Sequence, residues 1–266
     1  MDVLIRILIA GGVMLAVALV FGVILVICSH VFAIRKDERI EQVENLLAKS
    51  NCGGCGRAGC AQFAEALVKG EAKLSDCKAT PAANKEKIAQ LLGGGEVGED
   101  TVAVVHCNGG NACYNKYDYQ GYGNCASCEL IAGGIKACPV GCIGKKTCVD
   151  ICPHYAIDLG DGGYAVVDKE KCISCGVCID NCPKHIIGRI PKNAKVYIAC
   201  SNHGKGKEVM ELCKNGCIAC GLCAKTCPVG AIAMRDGLPE IDYKKCVGCM
   251  QCAQKCPRRC IKEHAR

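Results

Sequence analysis

Three cysteine runs carry the densest chemistry in this chain. Cys172, Cys175, Cys178 and Cys182, then Cys217, Cys220, Cys223 and Cys227, then Cys246, Cys249, Cys252 and Cys256 all have the form C-x2-C-x2-C-x3-C-P. Such spacing lets three thiolates grip three irons on one face of a [4Fe–4S] cubane, while the cysteine before proline turns away to a second cluster. Zinc also accepts C-x2-C, but as two pairs rather than as triplets closed by Cys-Pro. Cross-ligation then assigns Cys217, Cys220, Cys223 and Cys256 to one cluster and Cys246, Cys249, Cys252 and Cys227 to its twin. In the preceding unit Cys172, Cys175, Cys178 and Cys152 form one set. The twin of that set needs a ligand at position 145, where Lys145 stands in place of the repeat's Cys220. Cys142, Cys148 and Cys182 are left, with Cys138 the nearest candidate for the fourth.

Cys52, Cys55, Cys60 and Cys77 follow a different pattern, C-x2-C-x4-C-x16-C, with Gly53, Gly54, Gly56 and Gly59 in the gaps. Glycines let the backbone approach sulfur and aim amides at it, which suits a [4Fe–4S] cluster. A zinc site is the other reading of these four. Cys107, Cys113, Cys125 and Cys128 remain in the middle segment, irregularly spaced among Asn, Gly and Tyr; they are either a further cluster site or a loop. The expectation is six clusters, or five if the middle segment is empty. Cys200, Cys213 and Cys260 have no evident site, although the repeat sets Cys200 and Cys213 against Cys107 and Cys138. Cys28 reads as a small packing residue at the end of an apolar run.

Composition agrees with a metal-held fold. Of 266 residues 28 are cysteine, and there is no Trp and only three Phe. A large side-chain core is not expected, so metal–thiolate bonds must supply stability. Disulfides would need an oxidising compartment and wider spacings. The formal charge of +7 counts thiols as neutral; each cluster with its four thiolates adds about −2, so six sites bring it to roughly −5. No basic stripe interleaved with aromatics points to nucleic acid. Neither a nucleophile–base pair nor a dinucleotide fingerprint is present, so no complete catalytic site is expected in the chain.

These sites need positioning elements. Ile7 to Cys28 is an uncharged run of 22 residues, roughly 33 Å as a helix, enough to span a bilayer. Arg35, Lys36 and Arg39 follow it and only Arg6 precedes it, which places the C-terminal side in the cytoplasm. Ile40, Val43, Leu46 and Leu47 recur at helical spacing, and Phe63, Ala66 and Leu67 mark a second helix. Gly93 to Asp100 reads as a linker. Beyond it, short strands lead into Cys107 and Cys200, and motifs recur at an offset of 75 or 74 residues, as in duplicated units. The expected fold is α+β: a transmembrane anchor (1–34), a helical four-cysteine domain (35–92), a linker (93–100), a middle segment with a first ferredoxin-like module (101–191) and a second such module (192–266).

The order of these parts resembles the B-subunit family of Rnf complexes, the ion-translocating ferredoxin:NAD⁺ oxidoreductases, over essentially the whole chain. Asn51-Cys-Gly-Gly-Cys-Gly-Arg-Ala-Gly-Cys60 is the most specific part of the likeness, and the second module resembles the longer form of anaerobes. The resemblance implies an electron-transfer subunit of a membrane-bound translocase. It implies uptake of electrons from reduced soluble ferredoxin and delivery to other membrane and peripheral subunits, which carry flavin, reduce NAD⁺ and move Na⁺ or H⁺. It places the chain in the cytoplasmic (inner) membrane as a single-pass protein. Lys145 departs from the repeat and puts one ligand set in question. Other readings are the iron–sulfur subunit of a formate dehydrogenase or hydrogenase, which the Cys52–Cys77 motif disfavours, and a zinc-binding scaffold.

Overall fold

A computed structural model describes residues 2–31, 37–95 and 97–264. Arg35 and Lys36 of the basic flank and Glu96 of the linker lie outside the described residues. Helix α1 (Asp2–Val31) belongs to a separate N-terminal unit ending at Ile40. Its Gly11–Ser29 stretch has a mean hydropathy of 2.8 and buries none of its side chains in protein. A helix of this length, apolar all round, is what a bilayer accommodates.

The second unit starts at Glu41. Its first part is helical: α2 (Glu38–Leu46), α3 (Cys60–Val68) and α4 (Ala82–Leu92). Val43, Phe63, Ala64 and Ile88 are at most 1% exposed, a conventional side-chain core. The α2 end is tied across to α4, where Asn84 Nδ2 donates to Leu46 O (2.9 Å) and Ala48 N–H to Thr80 Oγ1 (3.2 Å). The segment expected as a linker is itself anchored, since Asp100 Oδ1 accepts from the first helical amide of α4, Ala82 N–H, at 2.8 Å.

Two small β-based modules follow, giving the expected α+β character. In the first, β1 (Thr101–Val105) pairs antiparallel with β4 (Ile187–Pro191), and β2 (Ile157–Leu159) with β3 (Ala165–Val167). In the second, β5 (Val196–Ile198) pairs with β8 (Ile261–Glu263), and β6 (Ile232–Arg235) with β7 (Leu238–Ile241). Short helices α5 (Cys125–Glu129), α6 (Thr147–Asp150), α7 (Val177–Asp180), α8 (Gly206–Leu212), α9 (Leu222–Thr226) and α10 (Gln251–Lys255) sit among the loops. The two cores are thin. Val102, Val104, Ile157, Val167, Ile187 and Ile190 pack with Cys107 and Cys178 in one; Val196, Ile198, Ile232, Ile241 and Ile261 pack with Cys223 and Cys252 in the other. Thiols thus occupy places that aliphatic side chains fill in larger domains.

Candidate metal centres

Each cysteine run begins in a loop whose backbone alternates handedness. After Cys172 the left-handed positions are Ser174 (φ 58°) and Gly176 (φ 93°); after Cys217 they are Ala219 (57°) and Gly221 (70°); after Cys246 they are Gly248 (68°) and Met250 (64°). A side chain in this region costs about 1–2 kcal/mol, yet Ser174, Ala219 and Met250 accept it. Such alternation turns successive N–H groups inward, forming a concavity suited to an anion such as a thiolate-rich cluster. A second turn closes each Cys-Pro. Tyr155, His185, Gly230 and Arg259 all have φ between 50° and 60° and donate N–H to the carbonyl of the cysteine three residues earlier. The next amide then reaches sulfur: Ala156 N–H to Cys152 Sγ, Ala231 N–H to Cys227 Sγ and Cys260 N–H to Cys256 Sγ, each 3.3 Å. The motif's form therefore has a backbone cause, a thiolate held by an amide.

The thiols ring open cavities rather than converge on a point. Cys217, Cys220, Cys223 and Cys256 line one of about 360 Å³, and Cys227, Cys246, Cys249 and Cys252 another of about 330 Å³. Cys152 and Cys172 lie beside Cys178 in the first module, and Cys175 is close to Cys172 and Cys178. Cys52, Cys55, Cys60 and Cys77 line a cavity of about 380 Å³, and Cys175 of the first module lines it too. Among the described residues no three His, Cys, Asp or Glu side chains close tightly enough for a single ion. Four thiols around a space of several hundred Å³ suit a multi-atom cluster. Burial pushes Cys148 up to about 12 and Cys142, Cys178 and Cys223 to about 11. Thiols that resist ionisation need a cationic core to become ligands.

The middle segment divides differently from its sequence grouping. Cys125, not Cys138, joins Cys142, Cys148 and Cys182 around a cavity of about 350 Å³. Helix α5 starts there because Cys125 N–H donates to Thr147 Oγ1 at 2.8 Å, at the start of α6. Cys107, Cys113 and Cys138 line a separate cavity with Cys213. Cys128 lines neither; it is fully buried with Ile135 and Ile143. The loop carrying Lys145 keeps the cluster-loop backbone, with Gly144 at φ 77° and Lys146 at 60°. Its missing thiol was the one sequence signal that a ligand must come from elsewhere. Cys213 could have been found from its match to Cys138 in the repeat. Cys28 is exposed, while Cys200 and Cys260 lie at the edges of these cavities.

The glycine-rich loop abuts the first module. A Cβ on Gly54 would sit 2.2 Å from the Cys175 carbonyl oxygen, so only glycine permits this approach. His154 Nε2 lies 3.1 Å from Ser50 Oγ across the same junction. Cys52 and Cys175 share a hydrogen bond that lowers Cys175 to about 7 and raises Cys52.

Known proteins bear on what these centres are. Residues 47–79 match the family described as a putative Fe-S cluster. Residues 140–186, 171–231 and 209–257 each match a 4Fe-4S dicluster domain. The B subunit of the Na(+)-translocating ferredoxin:NAD(+) oxidoreductase complex of Acetobacterium woodii is 38% identical over 242 residues, covering 90% of this chain and 72% of that protein. The B subunit of the ion-translocating oxidoreductase complex of Methanosarcina acetivorans is 40% identical over 227 residues, 84% of this chain and 86% of that one. The chain belongs to the Rnf B-subunit family. A proton-translocating counterpart from Clostridium ljungdahlii is 38% identical over 233 residues, covering 86% and 82%. As an Rnf-type B subunit the chain is part of an oxidoreductase complex, and its 4Fe-4S domains give it an electron-transfer role. The helix α1 is long and apolar enough to cross a membrane, in keeping with a membrane-associated complex.

Proposed function

We propose that this protein takes electrons from reduced soluble ferredoxin at its C-terminal module and passes them toward the membrane subunits of its complex. Six [4Fe–4S] clusters, when bound, supply reversible one-electron chemistry. Four sets of thiols are supported by the cavities they line, Cys52/Cys55/Cys60/Cys77, Cys125/Cys142/Cys148/Cys182, Cys217/Cys220/Cys223/Cys256 and Cys227/Cys246/Cys249/Cys252; a fifth, Cys152/Cys172/Cys175/Cys178, follows from cross-ligation in the repeated motif. The observation that carries the reading is contiguity. Cys175 lines the cavity of Cys52, so the first module's site adjoins the site nearest in sequence to the anchor. At the other end Cys220 and Cys249 are exposed, as a loop that meets a soluble donor must be. The residues' part is to hold each site, aim amides at sulfur and limit water; NAD⁺ reduction and movement of Na⁺ or H⁺ belong to other subunits.

Replacing Cys55 with Ala should leave the remaining centres reducible by ferredoxin and stop onward transfer to the complex. Failure to accept electrons from ferredoxin, with the other centres intact, would reverse the proposed direction. The part beyond α1 faces the cytoplasm in this reading, so protease added outside intact cells should spare the C-terminus; cleavage there would refute the orientation.

A further inference from the structure

We infer that Cys107, Cys113, Cys138 and Cys213 together hold a [4Fe–4S] cluster at the seam between the two ferredoxin-like modules, with three ligands from the first module and one from the second. This rests on the reading of the other thiol sets as cluster ligands, and it gives the sixth cluster a specific address outside the regular motifs.

The four thiols are buried, between 5% and 8% exposed, around a cavity of about 330 Å³. Three of them crowd one glycine. A Cβ placed on Gly109 would lie 3.2 Å from Cys213 Sγ, 3.4 Å from Cys113 Cβ and 3.6 Å from Cys107 Sγ. Amides already point at the sulfurs as they do in the regular motifs. Cys107 Sγ accepts from Gly109 N–H (3.4 Å) and Cys142 N–H (3.3 Å), and Asn202 Nδ2, itself buried, donates to Cys138 Sγ at 3.4 Å. Cys113 and Cys213 face each other across an isolated antiparallel bridge. No carboxylate or imidazole lines the cavity, which leaves thiols as its ionisable side chains.

A fifth thiol, Cys200, also lines this space and takes an amide as Cys107 does, from Cys217 N–H at 3.3 Å, but unlike Cys107 it is paired with a further thiol, Cys260. It occupies in the second module the place of Cys107 in the first, whose Sγ takes the Cys142 N–H. The seam itself is built to stay shut. His106 Nδ1 lies 2.6 Å from Ile198 O, and Asn108 Nδ2 donates to Arg259 O at 2.8 Å. Asn215 Nδ2 returns a bond to Asn108 O at 3.0 Å, and Lys214 N–H donates to Ala112 O at 2.9 Å. Asn108 is only 2% exposed. Buried polar groups so fully paired fix one arrangement of the two modules. Their effect is to put the site between Cys142 on one side and Cys217 on the other, each a ligand residue of a neighbouring set. The seam site bridges two modules that would otherwise each end in an isolated cluster pair.

The test uses the full chain, purified without oxygen, with iron and acid-labile sulfide counted per chain and reduced spins integrated by electron paramagnetic resonance. Wild type should hold about 24 irons, four for each of six sites. Cys213→Ala and Cys113→Ala should each drop to about 20 with the loss of one spin. The double variant should lose no more than either single one, because the two thiols serve one site across the seam. Cys200→Ala should keep the wild-type count. Wild-type iron in Cys213→Ala, a loss of about eight in the double variant, or loss of one zinc and no iron would each overturn the inference. If Cys213→Ala does not fold, the wild-type protein decides alone: about 20 irons leaves the five other sets standing and removes this one. Absence of iron throughout would instead refute the proposed function itself.

Discussion

The loop from Cys142 to Lys146 and the loop from Cys217 to Gly221 follow the same path with different chemistry. Both place left-handed residues at the same two positions, Gly144 and Lys146 in one, Ala219 and Gly221 in the other. Both send the amide of their first cysteine to a sulfur 3.3 Å away, Cys107 or Cys200. Yet Lys145 replaces Cys220, its Nζ lying 5.4 Å from the centre of the Tyr119 ring. A thiol from α5, Cys125, lines the cavity there, and in the proposed ligand set a half-buried cysteine takes the place of an exposed one. The comparison shows what the duplicated unit transmits. It is the backbone of the loop, with its concave array of N–H groups, and in the proposed ligand set the thiol itself comes from another segment. The second module keeps the self-contained form, and the first depends on a long insertion.

Removal of iron should have the largest effect and should strike both modules. Their cores contain few aliphatic residues and many thiols, and structural metal sites in small domains contribute on the order of 10 kcal/mol. Chelation should abolish amide protection in β1 through β8 in hydrogen-exchange measurements. The α2–α4 region, with Phe63 and Ile88 at its centre, should retain partial protection. A cooperative melt of the iron-free modules would contradict this.

Next in size is the exchanged corner. Cys125→Ala should remove one cluster, about four irons, from the first module alone. Adding Lys145→Cys to that variant should restore it, since Gly144 and Lys146 already hold the backbone that presents Cys220 in the other module. Cys128→Ala should leave the iron count unchanged. Rescue by Lys145→Cys is the decisive arm: if the double variant stays short of iron, the loops are alike in φ only and the thiol position is not equivalent.

These residues also mark where the sequence is readable. The three regular runs, the glycine-rich motif, the strands before Cys107 and Cys200 and the apolar first helix all announce themselves, because each is written within a few consecutive residues. A run of C-x2-C-x2-C encodes its own loop, and Cys-Pro encodes the turn that returns an amide to sulfur. The sets that Cys125 and Cys213 join are not legible in this way, because each joins partners brought near by contacts distant in sequence. One such contact is a single hydrogen bond to Thr147, the other a bridge at the module seam. Cys128, only three residues beyond Cys125, shows how little spacing says there. The anchoring of Asp100 on α4 is equally hidden, since a side-chain cap gives a linker no periodicity.

The smallest effect should come from the other difference between the modules. After Cys256 the second module places Cys260; after Cys182 the first places Ile186, and both are at most 2% exposed. Cys260 Sγ lies 3.1 Å from Asn215 O and touches Cys200, Cys217 and Cys256. Asn215 O and Cys256 Sγ compete for its one hydrogen, and directed at Cys256 that hydrogen lowers the neighbouring thiol to about 5. A polar hydrogen aimed at ligand sulfur favours the more negative, reduced state of a cluster and so raises its potential. Cys260→Ala removes that hydrogen and keeps the Cys260 backbone amide on Cys256 Sγ. The potential of the centre at Cys217/Cys220/Cys223/Cys256 should therefore fall, by about 40 mV if the bond favours the reduced state by about 1 kcal/mol. Cys260→Ile imitates the first module and should lower it similarly, while Ile186→Cys should raise the potential of the centre that includes Cys182. Redox titration followed by electron paramagnetic resonance resolves the shift. If Cys260→Ile lowers the potential but Cys260→Ala does not, the cause is the larger side chain crowding a closed site, and the thiol has no electrostatic part in setting the two modules apart.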